Sequence, residues 1–264
     1  MNASSAACIL PLFVPANRPD RFAKAANAGA DAVIIDLEDA VPPQLKVESR
    51  SGITHENLPS APTILRTNAA ASPWFADDLA AAKSLGITCL LLPKFEDANV
   101  LAGIRAITGD IEIIALIETA RGLANVRAIA ASGVARLAFG SIDLSADLGC
   151  AHIRDNLLPA RFEIVLASKL AGLPPPLDGI TEAIDRPELV EADARHASDL
   201  GFGGKFCIHP KQIAPARAGF RPNAAEIDWA TAVMGAPDDG AARVDGAMVD
   251  APVRARARQI LARR

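Results

Sequence analysis

The fold can be predicted from one stretch of the sequence, residues 111–143, which reads IEIIALIETARGLANVRAIAASGVARLAFGSID. The stretch opens with an apolar run of strand length, Ile111–Ile117, and continues through a helix-compatible segment, Ala120–Ala131. It closes with a second apolar run, Arg136–Phe139, and Gly133 stands before that run, where a left-handed residue commonly ends a helix. A strand, a helix and a second strand in this order indicate a parallel sheet covered by helices.

The same alternation continues in both directions from this unit. The strand-length runs are Ile9–Val14, Ala32–Leu37, Thr63–Thr67, Cys89–Leu92, Ile111–Ile117, Arg136–Phe139, Pro176–Gly179 and Lys205–Ile208. The helix-compatible segments that follow them are Arg18–Ala28, Gln44–Glu56, Pro73–Leu85, Glu96–Ile107, Ala120–Ala131, Asn156–Ala171, Arg186–Leu200 and Lys211–Ala218. Eight β/α repeats in a chain of 264 residues predict a closed (β/α)₈ TIM barrel rather than an open doubly wound sheet.

The last part of the chain extends beyond the eighth repeat. It contains a helix-compatible segment, Asn223–Met234, a loop rich in Gly, Asp and Pro, Gly235–Gly246, and a terminal helix, Val253–Arg263. A loop of that composition is either a lid or an arm that reaches a neighbouring subunit. No linker separates the two parts, so we expect one domain, with the barrel in residues 1–220 and a C-terminal helical extension in residues 221–264.

The composition narrows the class of protein. A net charge of −4 gives no reason to expect a nucleic acid as partner. The four cysteines lie far apart, with no C-x-x-C pair, which argues against a zinc site or a disulfide framework and fits a reducing cytoplasm. No secretory signal is evident, and no apolar run reaches the length of a membrane span. We therefore expect a soluble, cytoplasmic protein that binds neither nucleic acid nor membrane.

Two carboxylates follow consecutive predicted strands. Glu118 comes directly after the fifth strand, and Asp143 comes shortly after the sixth. Because active sites of such barrels lie at the carboxyl ends of the strands, and consecutive strands are neighbours, we expect these side chains to lie close together. Two carboxylates suit a hard cation such as Mg²⁺, with substrate oxygens and water as the remaining ligands. Taken singly, each residue could equally cap a helix or bind nearby backbone.

Other charged residues follow the second, third and fourth strands. Arg66 would point a cation into the barrel mouth, where it could hold a carboxylate or stabilise an oxyanion. The alternative is a structural ion pair between Arg66 and Glu38 or Asp36, and both interpretations can hold together. Lys94 could assist at the site or face solvent, and His209 is as well explained by fixing a loop as by catalysis.

Several other kinds of catalysis find no support in the sequence. The remaining histidines, His55, His152 and His196, lie in or near helix-like segments and read as surface or packing residues. No Ser/His/Asp arrangement of known spacing appears, and G-x-S-x-G, Walker and G-x-G-x-x-G motifs are missing. The sequence therefore predicts neither nucleophilic catalysis nor nucleotide hydrolysis.

Seven segments, taken in their order along the chain, carry a resemblance to a known family. They are LFVPANRPDRFAKAANAGADAVIIDLEDAVPPQLK (Leu12–Lys46), ILRTN (Ile64–Asn68), LLLPKFED (Leu90–Asp97), IIALIETARGL (Ile113–Leu123), LAFGSIDLSADLG (Leu137–Gly149), GFGGKFCIHPKQI (Gly201–Ile213) and DGAMVDAP (Asp245–Pro252). With this ordered set the chain resembles the citrate lyase β-subunit-like branch of the HpcH/HpaI aldolase/citrate lyase superfamily.

The resemblance implies a TIM barrel assembled as a homotrimer, with Mg²⁺ as cofactor. Glu118 and Asp143 match the family's magnesium ligands, and Arg66 matches an arginine that contacts the reacting acyl group. Glu38 matches an acidic residue beside that arginine. Asp250 matches an aspartate that reaches the active site of the adjacent subunit, which agrees with the interpretation of the C-terminal segment as an arm.

The resemblance also implies a binding surface for coenzyme A. Arg18, Arg21 and Lys24 follow the first strand, where relatives contact the phosphates of coenzyme A; a solvated helix face explains these side chains equally well. Ala16 departs from the family pattern, which usually has glycine in this loop. The difference bears on how closely the backbone approaches a ligand there, not on the metal ligands.

The function implied by the resemblance is carbon–carbon bond cleavage or formation next to an acyl thioester. The substrates of the family are β-hydroxyacyl thioesters such as citryl-, malyl- or citramalyl-CoA, which give an acyl-CoA and a 2-keto acid. Three related alternatives stay open: a metal-dependent aldolase acting on free 2-keto acids, a malyl-CoA-type thioesterase, and a citrate lyase subunit that depends on a partner. A non-catalytic binding protein is disfavoured because Arg66, Glu118, Asp143 and Asp250 are present together.

Overall fold

The computed structural model describes residues 8–237 and 242–264 and contains an eight-stranded parallel sheet in the order β1 to β8. The strands are β1 (Pro11–Pro15), β2 (Ala32–Asp36), β3 (Thr63–Arg66), β4 (Cys89–Leu92), β5 (Glu112–Ile117), β6 (Arg136–Phe139), β7 (Leu177–Asp178) and β8 (Gly204–Lys205). All eight predicted strands are confirmed, including the proline-rich seventh, which is only two residues long.

The sheet closes on itself between its last and first strands. Cys207, just after β8, forms a parallel bridge with Leu12 in β1, and its N–H donates to the Pro11 carbonyl oxygen at 2.9 Å. Gly204 allows this approach, since a Cβ at that position would lie 2.1 Å from the Ile9 carbonyl oxygen. Closure leaves no sheet edge and confirms the predicted (β/α)₈ TIM barrel.

Helices surround the barrel, and short 3₁₀ turns over Pro19–Arg21, Pro43–Leu45 and Pro210–Gln212 lead into three of them. The helices of the barrel are α1 (Phe22–Ala26), α2 (Lys46–Ser51), α3 (Phe75–Ser84), α4 (Val100–Thr108), α5 (Ala120–Ala124), α6 (Val126–Ala130), α7 (Ser141–Leu148), α8 (Arg154–Leu170), α9 (Pro187–Leu200) and α10 (Ile213–Phe220). Helix α7 is additional to the predicted segments. Its eight residues, SIDLSADL, follow β6 after a single glycine, so Asp143 belongs to the first turn of a helix and not to a strand end.

Two apolar layers hold the barrel together. Inside it pack residues from alternate strand positions, among them Ile34, Leu91, Leu116 and Phe206. A larger cluster fills the space between the strands and the surrounding helices. Strands covered on both faces are buried along most of their length, which is why the sequence shows them as continuous apolar runs. No helix among the described residues is long and apolar enough to cross a bilayer.

The C-terminal extension contains helices α11 (Ala224–Gly235) and α12 (Ala251–Ala262), which pack on each other around an apolar cluster of their own. A capping box, formed by Asn223 and Glu226, starts α11. The predicted loop Gly235–Gly246 includes residues 238–241, which lie outside the described residues. Its end forms a hairpin of β9 (Arg243–Val244) and β10 (Ala247–Met248), with Asp245 and Gly246 both at positive φ in the turn.

Candidate active site

A cavity of about 400 Å³ opens at the carboxyl ends of the barrel strands. Its walls are partly apolar, with Phe13, Leu116 and Phe206 from the barrel interior. The polar groups that line it are Asp36, Asp39, Arg66, Glu118, Ser141 and Asp143. Three of the residues predicted from the sequence, Arg66, Glu118 and Asp143, therefore share one cavity.

Arg66, the last residue of β3, is held by carboxylates from the neighbouring strand. Its Nε and Nη2 each donate to Asp36 at 2.7 Å, and its Nη1 lies 3.0 Å from Glu38 Oε2. Burial opposes the charged form, but the carboxylates outweigh it and raise the pKa of Arg66 above its ordinary value. Arg66 is thus a fixed cation at the cavity wall, ion-paired and facing the cavity at once.

Lys94 connects this cluster of charges with the carboxylate after β5. Its ammonium lies 2.5 Å from Glu38 Oε1, and its backbone N–H donates to Glu118 Oε1 at 2.8 Å. Lys94 has a φ of +48°, in the left-handed region that residues with a Cβ rarely adopt. The contacts place Lys94 at the site rather than only in solvent, so of its two open interpretations the first is supported.

Glu118 is buried among polar groups, with only 2 % of its surface exposed. Burial is the main reason that the pKa of its carboxyl rises to about 8, and the charges of Glu38 and Asp143 add to the effect. Gly140 leaves the space that this carboxylate occupies, because a Cβ there would lie 2.4 Å from Glu118 Oε2.

Asp143 reaches the same cavity from the first turn of α7. Among the described residues, no group of three or more His, Cys, Asp or Glu side chains is arranged to hold a metal ion. Two protein carboxylates are nevertheless a common set for Mg²⁺, which usually keeps several water or substrate oxygens. Two carboxylates that line the same cavity fit such an ion, and Gly140 makes room for one of them.

A further contact joins Ser141, on the cavity wall, to His152. Ser141 Oγ lies 3.0 Å from His152 Nε2, and His152 Nδ1 lies 3.6 Å from Glu182 Oε2. The three residues are 11 and 30 positions apart in the sequence, a spacing that matches no known motif. The one feature of the sequence that points to them is Ser141 itself, a polar residue that follows the apolar run of β6 and Gly140.

The residues predicted to contact coenzyme A do not line this cavity. Arg18 is paired with Asp20 through two hydrogen bonds of 2.9 and 2.8 Å, and Arg21 and Lys24 are exposed. All three lie in the turn and short helix that follow β1. Their predicted role therefore stays a prediction, and Arg18 would have to leave Asp20 to bind a phosphate.

Asp250 and His209 both cap helices in the single chain. The Asp250 carboxylate accepts from the Val253 N–H at 3.0 Å at the start of α12, and it is exposed outside the cavity. His209 Nδ1 accepts from the Lys211 N–H at 3.2 Å, so the structural interpretation of this histidine is supported. One chain does not bring Asp250 to its own Arg66 cavity.

Comparison with known proteins bears on what this arrangement does. Residues 10–210 match the model of a family described as HpcH/HpaI aldolase/citrate lyase. A citrate lyase subunit beta-like protein from Deinococcus radiodurans is 35% identical over 99% of this chain and 99% of its own. A (3S)-malyl-CoA thioesterase from Cereibacter sphaeroides is 33% identical over 96% of this chain and 93% of its own. The crystal structure of CitE from Mycobacterium tuberculosis in complex with magnesium, acetoacetate and coenzyme A superposes with a TM-score of 0.87, at 35% identity and 98% coverage of both chains.

Proposed function

Because the chain belongs to the HpcH/HpaI aldolase/citrate lyase family, we propose that it is a magnesium-dependent carbon–carbon lyase. Its substrate would be a β-hydroxyacyl-CoA such as citryl-, malyl- or citramalyl-CoA, cleaved into or formed from an acyl-CoA and a 2-keto acid. The observation that carries this proposal is the meeting of Arg66, Glu118 and Asp143 in one cavity.

Glu118 and Asp143 would hold the magnesium ion. Burial is the main cause of the raised pKa of Glu118, and the charges of Glu38 and Asp143 add to it; this concentration of negative charge favours a cation beside Glu118 and Asp143. When bound, Mg²⁺ supplies Lewis-acid polarisation of a substrate oxygen. A magnesium ion in the similar CitE complex supports the same cofactor here.

Arg66 would act on the acyl end of the substrate. Cleavage of the bond next to a thioester leaves negative charge on the thioester enolate, and a fixed cation stabilises that charge more than it stabilises the ground state. Asp36 and Glu38 hold the guanidinium in place, so little reorganisation is needed during the reaction. Glu38 would therefore orient Arg66 directly. It also contacts the ammonium of Lys94, whose backbone N–H donates to the Glu118 carboxylate.

The remaining parts of the proposal concern assembly and binding. We propose a cytoplasmic homotrimer in which residues 221–264, part of the same domain as the barrel of residues 1–220, reach a neighbouring subunit. Asp250 of that extension would serve as acid or base in the neighbour's cavity. Arg18, Arg21 and Lys24 would contact the phosphates of coenzyme A at the rim above β1. Two exposed cations and a third held only by the surface carboxylate Asp20 are available for this contact.

A turnover screen with purified protein and Mg²⁺ tests the proposal. Citryl-, malyl-, citramalyl- and methylmalyl-CoA are supplied, and keto acid and free thiol are measured separately. We expect a keto acid from one thioester, and a loss of at least about a hundredfold in Glu118→Gln and Asp143→Asn, because each removes a metal ligand. Glu163→Gln, which breaks only a surface ion pair with Arg127, is the matched control.

The other outcomes of the screen identify the alternatives. Activity on free keto acids that coenzyme A esters do not affect would indicate an aldolase. Turnover that appears only with an added acyl carrier would indicate a partner-dependent subunit. Metal binding with no turnover on any thioester would contradict the lyase proposal.

A further inference from the structure

The contact between Ser141 and His152 has the geometry of a nucleophile beside a base. Ser141 Oγ and His152 Nε2 are 3.0 Å apart, within the range of a hydrogen bond that can transfer a proton. The other ring nitrogen of His152 lies 3.6 Å from Glu182 Oε2, an ion-pair contact slightly longer than a hydrogen bond. Serine, histidine and a carboxylate therefore follow one another in the order in which hydrolases use them.

The local backbone presents Ser141 to the cavity. Strand β6 ends at Phe139, Gly140 follows, and Ser141 is the first residue of α7. This turn from a strand directly into a helix places Ser141 at the carboxyl end of the sheet, where the active sites of such barrels lie. Gly179 leaves room for the hydroxyl, because a Cβ there would lie 2.5 Å from Ser141 Oγ.

The surroundings of the three side chains give a direction to proton transfer. Ser141 is 2 % exposed and borders the cavity, whereas the side chains of His152 and Glu182 are 30% and 69% exposed. Ser141 thus lies between the cavity, which it lines, and the partly exposed imidazole, which its hydroxyl contacts. The start of α7, at Gly140, has no side-chain cap, so N–H groups of its first turn, next to Ser141, would be available to donate to an oxyanion.

From this geometry we propose that Ser141 is a nucleophile for acyl thioester hydrolysis, with His152 as its base and Glu182 as a positioning residue for the imidazole. The proposal is a second activity of the same cavity and rests on the proposed function only for the thioester class of substrate. It assigns catalytic residues of this chain to the thioesterase alternative.

The reaction would proceed in two balanced steps. Ser141 Oγ bonds to the thioester carbonyl carbon as its proton passes to His152 Nε2; the C–S bond breaks, and the departing thiolate takes that proton. Water then gives a proton to His152 and bonds through its oxygen to the acyl carbon. The bond to Ser141 Oγ breaks, and the oxygen regains the proton from His152. The sum is thioester plus water giving carboxylic acid plus thiol.

The first test is covalent labelling with a fluorophosphonate in EDTA, followed by mass spectrometric mapping of the wild-type protein. Phosphonylation of Ser141 with loss of fluoride is expected, and a wild-type protein without an adduct at Ser141 overturns the proposal. The mapping needs no variant, and because it needs no magnesium or keto acid, failure of the lyase proposal does not affect it.

Variants separate a catalytic pair from a structural hydrogen bond. His152→Ala should slow labelling by about a hundredfold. Added imidazole should then raise the labelling rate of this variant about tenfold, which a purely structural role of His152 would not allow. Glu182→Gln should slow labelling less than His152→Ala does. Ser145→Ala is the control. Ser145 lies one turn along α7, and its hydroxyl donates a hydrogen bond to the Ile142 carbonyl oxygen, so this variant should be labelled at the wild-type rate.

Product analysis provides an independent second arm. In Ser141→Ala, release of free thiol from the thioester panel should fall about a hundredfold. Keto acid formation should fall far less, because Glu118, Asp143 and Arg66 remain. Thiol release at the wild-type rate in Ser141→Ala would overturn the proposal while leaving the lyase assignment intact.

Discussion

Gly140 packs directly against the side chain of Glu118. A Cβ at position 140 would lie 2.4 Å from both Cβ and Oε2 of Glu118, which is closer than such atoms ever approach. The φ of Gly140 is −98°, a value that any residue adopts. Space, and not backbone freedom, is therefore what requires glycine here, and position 140 determines where the Glu118 carboxylate can lie.

Gly140→Ala is expected to weaken Mg²⁺ binding by about 10–100-fold, as loss of a supporting contact around a metal ligand commonly does. Overpacking should also lower the free energy of unfolding by about 1–3 kcal/mol. Isothermal titration with Mg²⁺ and urea unfolding measure the two effects. Gly103→Ala, in the exposed middle of α4 with nothing within 4 Å of the new Cβ, is the control and should raise stability. Equal Mg²⁺ affinity in the two variants would contradict the role of Gly140.

The affinity for Mg²⁺ should depend on pH through Glu118. Its folded pKa of about 8 is raised above the unfolded value, so the stability it contributes is full at low pH and is lost as pH rises through 8. Mg²⁺ requires the ionised form and reverses that loss, so the dissociation constant should be about twentyfold larger at pH 6.5 than at pH 8.5.

Titration calorimetry at several pH values, with thermal unfolding in parallel, measures this dependence. The rise in melting temperature on adding Mg²⁺ should be larger at pH 8.5 than at pH 6.5. Glu118→Gln should remove the dependence together with most of the binding. A dissociation constant that is flat across this range would show that Glu118 does not compete for a proton with the metal.

Lys94 is expected to show two separable effects, one from its side chain and one from its backbone. Lys94→Ala and Lys94→Gly both remove the ammonium from Glu38 but keep the N–H that donates to Glu118. Both should lose turnover, by about tenfold, with little change in Mg²⁺ affinity. The free energy of unfolding should be about 1 kcal/mol higher for the glycine variant than for the alanine variant. The reason is that a φ of +48° is unstrained for glycine but disfavoured for a residue with a Cβ. Equal stability in urea would contradict strain at this position.

Asp250→Asn separates helix capping from catalysis. Asparagine caps a helix as well as aspartate does, so the bond to the Val253 N–H and the melting temperature should be retained. Turnover should nevertheless fall about a hundredfold if the carboxylate acts as acid or base in a neighbouring cavity. An Asp250→Asn enzyme that assembles and turns over at the wild-type rate would remove Asp250 from the proposed mechanism.

Mixed assemblies test whether Asp250 acts between subunits. Asp250→Asn and Glu118→Gln chains, each inactive alone, are unfolded together and refolded in equal amounts. A cavity with its own Glu118 and a neighbour's Asp250 should then form in about a quarter of sites, by random assembly of a closed ring. Activity near that fraction, with a trimer seen by light scattering, is expected; no recovery would contradict contribution from a neighbour.

The strands and the barrel follow from local sequence. Each strand is covered on both sides, so burial makes it a continuous apolar run such as Leu90–Leu92, and the runs recur at a spacing that only a β/α repeat explains. The position of Glu118 can be predicted in the same way, because a charged residue that follows the apolar run of β5 must lie at the carboxyl end of the barrel.

The helix α7 could not be recognised in the same way. Its eight residues are too few for a clear helical period, and a single glycine separates them from β6. The sequence therefore predicts that Asp143 lies near Glu118, as it does in the cavity, but not that a helix carries it. The role of Lys94 cannot be predicted from local sequence either, because its contacts with Glu38 and Glu118 are with residues 56 and 24 positions away.

The eight β/α repeats, the order of the strands and the polar residues that follow them can all be predicted from local sequence, since they depend on burial and on chain direction within each repeat. Which side chains contact each other depends instead on the folded arrangement of the whole barrel. The ion pairs of Arg66 with Asp36 and the space that Gly140 leaves for Glu118 join neighbouring repeats, and the contact of Ser141 with His152 spans the connection between β6 and β7. Their distances depend on how the barrel closes and how its helices pack, which no local pattern encodes.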